Sequence, residues 1–237
     1  MTMHFTGDPH GEQGRFLELF RQGEGEWTQD DMLVIPGDFG YIFRDNAAEK
    51  MFLDELEKKP YTICFCDGNH ENFPAIYRYP CEEWNGGKVH RIRNNIFHLM
   101  RGQVYTIDGI KLFSMGGAYS IDRYMRSRGY SYWEEELPTE EEYAEAIRNL
   151  KANDYKVDYI VTHTAPCKVI LELLTQTKKL TRQKYLEITH AKDSRLTNFF
   201  DWISSDVQYK KWFFGHWHED LDIDGKHRAL YFDLETV

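Results

Sequence analysis

Short apolar runs and longer stretches of helical periodicity alternate along this chain, and the two patterns predict different elements. The runs at residues 4–6, 32–35, 61–65, 159–162 and 211–214 are too short for helices and read as buried strands. Helices are predicted over residues 13–22, 46–59, 139–153, 167–175 and 193–205. Pro138 is followed by Thr139 and, three residues on, Glu142, which predicts a capping box; the acidic first turn of that helix reads as a solvated helix start. Further strands are predicted at 96–100, 103–107 and 111–114, with Asp108-Gly109 as a hairpin turn, and another hairpin places 221–223 and 229–232 on either side of Gly225. Strands separated by helices, followed by hairpins, predict two packed mixed sheets with helices outside. No internal repeat, low-complexity tract or long linker divides the chain, so residues 1–237 are expected to form a single domain, with 134–145 as an insertion within it.

The polar residues that follow those apolar runs carry the chemistry. Five clusters occur in order: Asp8-Pro9-His10, Gly37-Asp38, Gly68-Asn69-His70-Glu71, His163, and Gly215-His216-Trp217-His218. Each closes a predicted strand, and ligands of α/β sheets gather at the carboxyl ends of strands. Two divalent ions need a shared carboxylate with oxygen and imidazole ligands on either side, and Asp8, His10, Asp38, Asn69, His163, His216 and His218 are of those types. Glycines beside them let the backbone turn tightly next to an ion.

The order and spacing resemble those of the calcineurin-like metallophosphoesterases, whose pattern runs D-x-H, G-D, G-N-H-D/E, a lone H, then G-H-x-H. The resemblance spans residue 4 to about 232, nearly the whole chain. It implies an α/β fold, an αββα sandwich of two mixed β-sheets flanked by helices. It also implies that Asp8, His10 and His218 hold one ion, that Asn69, His163 and His216 hold the other, and that Asp38 bridges them. The activity it implies is hydrolysis of a phosphomonoester or phosphodiester by a metal-bridging hydroxide, with no covalent enzyme intermediate. Imidazoles and an Asn oxygen suit manganese, iron, nickel or zinc better than magnesium, and manganese is the first expectation.

The resemblance also implies that His70, beside the ions without binding them, stabilises the transition state or protonates the leaving oxygen. Many relatives extend the second motif to G-D-x-x-D, and that further Asp orients the histidine. This chain reads Gly37-Asp38-Phe39-Gly40-Tyr41. Tyr41 cannot serve as that carboxylate, which leaves Asp67 and Glu71 as substitutes.

Substrate recognition is expected in residues 116–123 and the following Arg126, Arg128, Tyr130, Tyr132 and Trp133, with Arg123 as the phosphate clamp. The alternative is a packed loop whose arginines pair with Glu134, Glu135 and Glu136. His4, His90, His98, His190 and His227 match no motif and are read as ordinary surface or core residues.

Composition narrows the substrates. With 29 Lys and Arg against 39 Asp and Glu, the formal charge of −10 disfavours duplex nucleic acid, which needs a basic face. A small phosphate ester or nucleotide is expected instead. A nuclease or protein phosphatase built on the same centre is the alternative, and a scaffold that has lost catalysis would have eroded ligands, which this sequence does not. Cys64, Cys66, Cys81 and Cys167 show no disulfide framework, zinc-knuckle or redox spacing. No apolar run approaches a membrane span and no leader is visible, so the cytoplasm is the expected compartment and no partner protein is readable.

Overall fold

The computed structural model describes residues 1–23 and 26–237. In chain order its strands are β1 (Thr2–Phe5), β2 (Asp31–Ile35), β3 (Thr62–Phe65), β4 (Cys81–Trp84), β5 (Gly87–Arg93), β6 (Ile96–Leu99), β7 (Gln103–Ile107), β8 (Ile110–Met115), β9 (Tyr159–Thr162), β10 (Lys211–Phe214), β11 (Leu221–Asp222), β12 (His227–Ala229) and β13 (Glu235–Thr236). The helices are α1 (Gln13–Gly23), α2 (Ala47–Glu57), α3 (Phe73–Ile76), α4 (Glu140–Ala152), α5 (Cys167–Thr177), α6 (Arg182–Tyr185) and α7 (Ala191–Asp206).

The strands form two mixed sheets, ordered β13-β1-β2-β3-β6-β5-β4 and β11-β12-β10-β9-β8-β7. In the first, β1, β2, β3 and β6 run parallel; in the second, β12, β10, β9 and β8 do. The sheets face one another across a layer that includes Phe5, Val34, Cys64, Leu112, Val161 and Phe213. Phe5 and Phe213 stack there with ring centroids 3.8 Å apart, and burying one such ring fully contributes about 1.5–3 kcal/mol. Alternate residues of the same strands face outward, so Leu33, Ile63 and Phe65 pack with Phe16, Leu53 and Leu56 of α1 and α2. On the other side Phe113, Ile160 and Phe214 pack with Leu150, Leu173 and Phe200 of α4, α5 and α7. The layering is the αββα sandwich that the apolar pattern and the family resemblance imply.

Local chemistry starts and stops the elements. Asn46 caps α2 by accepting the N–H of Glu49, and both hydrogen bonds of the Thr139/Glu142 capping box are made at α4. The neighbouring strands β6 and β7 belong to different sheets, because the chain crosses between them at Met100, Arg101 and Gly102. The β4/β5 hairpin is absent from the sequence reading. Its turn is Asn85-Gly86, both in the left-handed region, a type of turn that closes two-residue hairpins. The polar strand Cys-Glu-Glu-Trp hid it, since an edge strand with two glutamates gives no apolar run.

The strand expected at 229–232 ends at Ala229. Beyond it the Asp220 carboxylate accepts the N–H groups of Tyr231, Phe232 and Asp233 at 2.7–3.0 Å, replacing ladder hydrogen bonds by a side-chain cap. Within the segment 134–145, Glu136 is buried and accepts both the N–H and the hydroxyl of Ser120. The exposed Glu140 and Glu141 do form a solvated helix start. All four cysteines are free, three of them buried. No helix of the described residues is long and apolar enough to cross a membrane.

Candidate metal centre

Parallel register brings the ends of β1, β2 and β3 level in one sheet and those of β9 and β10 level in the other. The five clusters follow those ends directly. Three of the turns are sharp: Asp8, His10, Asp38, His216 and His218 all have φ between 34° and 67°, where residues with side chains are uncommon. Such strain persists where the surroundings enforce it and gathers at functional sites. The glycines make room for the carboxylates, since a Cβ on Gly68 would strike Asp38 Oδ1 and one on Gly215 would strike Asp8 Oδ1.

The structure brings Asp8, His10 and His218 together as one group, and Asp8, Asp38 and His163 as another, each with ligand atoms within 4.8 Å of one another. His10 Nε2 and His218 Nε2 lie 3.0 Å apart. Two imidazole nitrogens bound at about 2.0–2.1 Å to one ion would sit at about that separation. His218 Nε2 is 3.6 Å from Asp8 Oδ2, and His10 Nε2 is 3.7 Å from Asp38 Oδ2. His10 and His218 are partly exposed, whereas His163 and both carboxylates are buried. One group therefore lies at the mouth of the site and the other beneath it.

Hydrogen bonds orient the deeper group. His163 Nδ1 donates to Pro36 O at 2.7 Å, which turns Nε2 inward to within 3.0 Å of Asn69 Oδ1 and 3.3 Å of Asp38 Oδ2. Asn69 presents its oxygen because its amide nitrogen donates to Ser120 Oγ at 3.0 Å. The His216 ring stands 5.0 Å from that of His163, and its Nε2 is buried with no hydrogen-bond partner, as is Asp8 Oδ1. Asp8 Oδ1 and His216 Nε2 are thus left without partners beside the His163 contacts to Asn69 and Asp38, and buried polar atoms without partners are costly. A cation would satisfy them.

The charges lead to the same requirement. Burial pushes the Asp8 carboxyl up to about 8 despite the His163 imidazole beside it. Burial acts on Asp38 in the same direction, but His163 outweighs it and holds this carboxylate well below its ordinary range. Burial would lower His163, yet Asp38 and then Asp8 raise it to about 10. Burial keeps His10, His216 and His218 neutral by lowering them, His218 to about 4, so their ring nitrogens retain lone pairs for coordination. Asp38 and then Asp8 thus favour positive charge at His163, beside the place a divalent ion would take.

Residues outside the motifs brace the turns. Arg15 of α1 donates to Gly7 O at 3.0 Å and to Tyr231 O, and its guanidinium lies over the Tyr231 and Phe232 rings. Tyr231 in turn stacks on His218 with centroids 4.5 Å apart. Lys179 donates to the carbonyls of Trp217 and His218 at 3.1 and 2.8 Å. No spacing rule marks either cation in the sequence, since each acts through a backbone carbonyl distant along the chain.

His70 sits beside the centre, its ring 5.1 Å from that of His10, and the backbone N–H of His70 donates to Asp38 Oδ1 at 2.7 Å. Neither carboxylate considered as its orienting partner bonds to it. Asp67 is engaged by Arg101 at 2.9 Å and by His98 at 3.3 Å, and Glu71 Oε1 accepts the N–H of Phe39 at 2.8 Å. Tyr41, in place of the usual second Asp, is buried and donates to Glu12 O at 2.8 Å.

The arginines of the 116–133 segment part company. Arg123, the expected phosphate clamp, pairs with Glu134 at 3.1 Å and Glu136 at 3.4 Å and lies over the Tyr132 ring, the pairing with the acidic run considered as the alternative. The arginine that reaches the centre is Arg126, whose Nη2 is 3.3 Å from His70 Nδ1. Arg126 was expected within the recognition segment, but nothing in the sequence pointed to its contact with His70. A cleft of about 530 Å³ opens from His10 and His70 toward Gly11, Tyr41, Phe43 and Arg44.

The model of one protein family, calcineurin-like phosphoesterase, matches residues 1–222. No curated protein matches the chain.

Proposed function

The chain belongs to the calcineurin-like phosphoesterase family, and from that premise we propose that it is a metal-dependent hydrolase of a small phosphomonoester or phosphodiester, a nucleotide included. The observation that carries the reading is the convergence of His163 Nε2, Asn69 Oδ1 and Asp38 Oδ2 around one point, with Asp8 Oδ1 and His216 Nε2 buried beside it and unpartnered. In this reading Asp8, His10 and His218 hold one ion, Asn69, His163 and His216 hold a second, and Asp38 lies between them. The mixed imidazole and oxygen donors favour manganese, with iron, nickel and zinc as alternatives. Two such ions would supply the Lewis acidity that activates water at neutral pH and stabilises charge on phosphorus oxygens.

The chain's own groups do the rest. The cleft beside His10 receives the ester, and its size limits what enters. His70 borders that cleft without belonging to either ligand set, so it is placed to act on a phosphate or leaving oxygen as a hydrogen-bond donor. The strained ligand turns hold the donors in place before the substrate arrives, so little reorganisation is left to the reaction.

The test is elemental analysis of protein isolated without chelator, followed by a screen of mono- and diesters against manganese, iron, nickel and zinc. About two metal equivalents are expected, as in other two-metal hydrolases, with ester turnover that a chelator abolishes and added manganese restores. Recovery of no metal, together with no turnover on adding any of the four ions, rejects the reading.

A further inference from the structure

The histidine beside this centre has a guanidinium where a carboxylate was expected. Arg126 lies on the loop between β8 and α4, and its side chain is only 8% exposed. Its Nη1 donates to Ser120 Oγ at 2.6 Å and pairs with Asp122 at 3.5 Å, while Nη2 stands 3.3 Å from His70 Nδ1. Ser120 uses its whole hydrogen-bonding capacity here. It donates to Glu136 at 2.8 Å and accepts from both Arg126 and Asn69. The same hydroxyl therefore turns the Asn69 oxygen toward the deeper metal position and holds the guanidinium against His70.

A guanidinium has donors and no acceptor, so the direction of the His70 contact is fixed: Nδ1 accepts. We propose that Arg126 is the positioning residue for His70, holding its Nδ1 as an acceptor and leaving the ring hydrogen on Nε2 as the donor for the cleft. A carboxylate at the same place would accept a hydrogen from Nδ1 and favour an imidazolium. Arg126 imposes the opposite polarity. His70 then acts as a neutral hydrogen-bond donor to a phosphate or leaving oxygen, and no proton transfer from the ring is required. The hydrogen bond itself stands on the geometry alone; its catalytic consequence rests on the phosphoesterase reading.

Two measurements separate those levels. In zinc-loaded protein with ¹⁵N-labelled histidine, at a pH where the ring is neutral, two-bond nitrogen–proton correlations should show His70 as a single tautomer with hydrogen on Nε2. In Arg126→Ala the His70 signals should move toward those of an unrestrained ring. Hydrogen on Nδ1 in the parent, or His70 signals unchanged by the substitution, overturns the proposal whether or not the protein hydrolyses esters. Arg126→Met, which keeps much of the volume but carries no N–H donor, replaces Arg126→Ala in both measurements if the alanine variant does not fold.

The second measurement is a double-mutant cycle on the ester that the metal-loaded parent turns over best. Arg126→Ala should lower kcat by about 10–100-fold, the scale for misplacing a catalytic group, with metal content unchanged. In a His70→Ala background the same substitution should cost almost nothing further, because a residue that acts through His70 has nothing left to position. A full additive loss would mean that Arg126 meets the substrate itself and would reject its role through His70. If the parent turns over no ester with any metal, the functional reading fails and the spectra alone decide the contact.

Discussion

Asp8 Oδ2 accepts the backbone N–H of His216 at 2.6 Å, and Asp8 Oδ1 occupies space that a Cβ on residue 215 would need, which Gly215 leaves open. The first motif of the chain is thus seated in the turn of the last. Asp8→Asn keeps the shape and an acceptor for His216 but removes the titration. Burial raises the metal-free Asp8 carboxyl to about 8, which costs stability near neutral pH that an amide does not carry, so at neutral pH the metal-free variant should melt at or above the temperature of the metal-free parent. The rise in Tm on adding manganese, which reports binding to the folded state, should largely disappear. Melts with chelator and with manganese check both halves; a variant that melts well below the metal-free parent would show that Asp8 stabilises the fold without an ion.

His70 and Asp38 are tied by one hydrogen bond yet differ in expected role. Asp38→Ala should lose metal and activity together, because it removes a carboxylate that faces both His10 and His163 and the acceptor for the His70 N–H. His70→Ala should retain metal while kcat falls by about 10²–10³-fold, the usual effect of deleting one donor to a developing negative charge. Elemental analysis beside steady-state kinetics distinguishes them. Metal loss in the His70 variant would move that residue into the ligand set.

Much of this site was legible because each expected ligand follows a strand whose apolar run is unmistakable, as Asp38 follows residues 32–35 and His216 follows residues 211–214. What escaped was carried by single side chains reaching across the fold. Arg15 and Lys179 act on carbonyls far away in sequence, Arg126 was read only as a recognition residue without its contact to the His70 ring, and a lone cation on a helix or loop has no periodicity to mark it. Glu136 was hidden for another reason: it sits in a run of acidic residues that reads as solvent-facing, although it alone of Glu134, Glu135 and Glu136 is buried. The β4/β5 hairpin did leave a trace, the Asn85-Gly86 pair, which turn chemistry could have recovered.

Arg123 tests how that acidic segment is held. Its partner Glu136 is buried while Glu134 is exposed, so removing the guanidinium leaves a carboxylate short of its compensating charge. Arg123→Ala should therefore lower unfolding stability by about 1–3 kcal/mol, with kcat/KM changed by no more than about threefold. Arg123→Lys should recover part of the stability, since lysine keeps the charge without the planar fork. Urea unfolding and kinetics on the same preparations decide it. Unchanged stability with a large rise in KM would return Arg123 to the substrate.

Asp193, far from the motifs in sequence, should contribute to the pH dependence of stability. It is buried in α7, neither carboxylate oxygen has a hydrogen-bond partner, and burial raises its pKa from 3.8 to about 7. Below about pH 4 the carboxyl is protonated in both the folded and the unfolded chain, and its contribution is fully present. As pH rises toward 7 the unfolded chain ionises while the folded one still holds its proton, so stability falls. The separation of about three pH units corresponds to roughly 4 kcal/mol as an upper bound. Asp193→Asn removes the titration while keeping the volume. The variant should match the parent near pH 4 and exceed it in urea unfolding at pH 8, with most of the gap opening between those values. A parent and variant that differ by the same amount at both pH values would show that Asp193 is ionised in the folded protein and that some group in its surroundings compensates the charge.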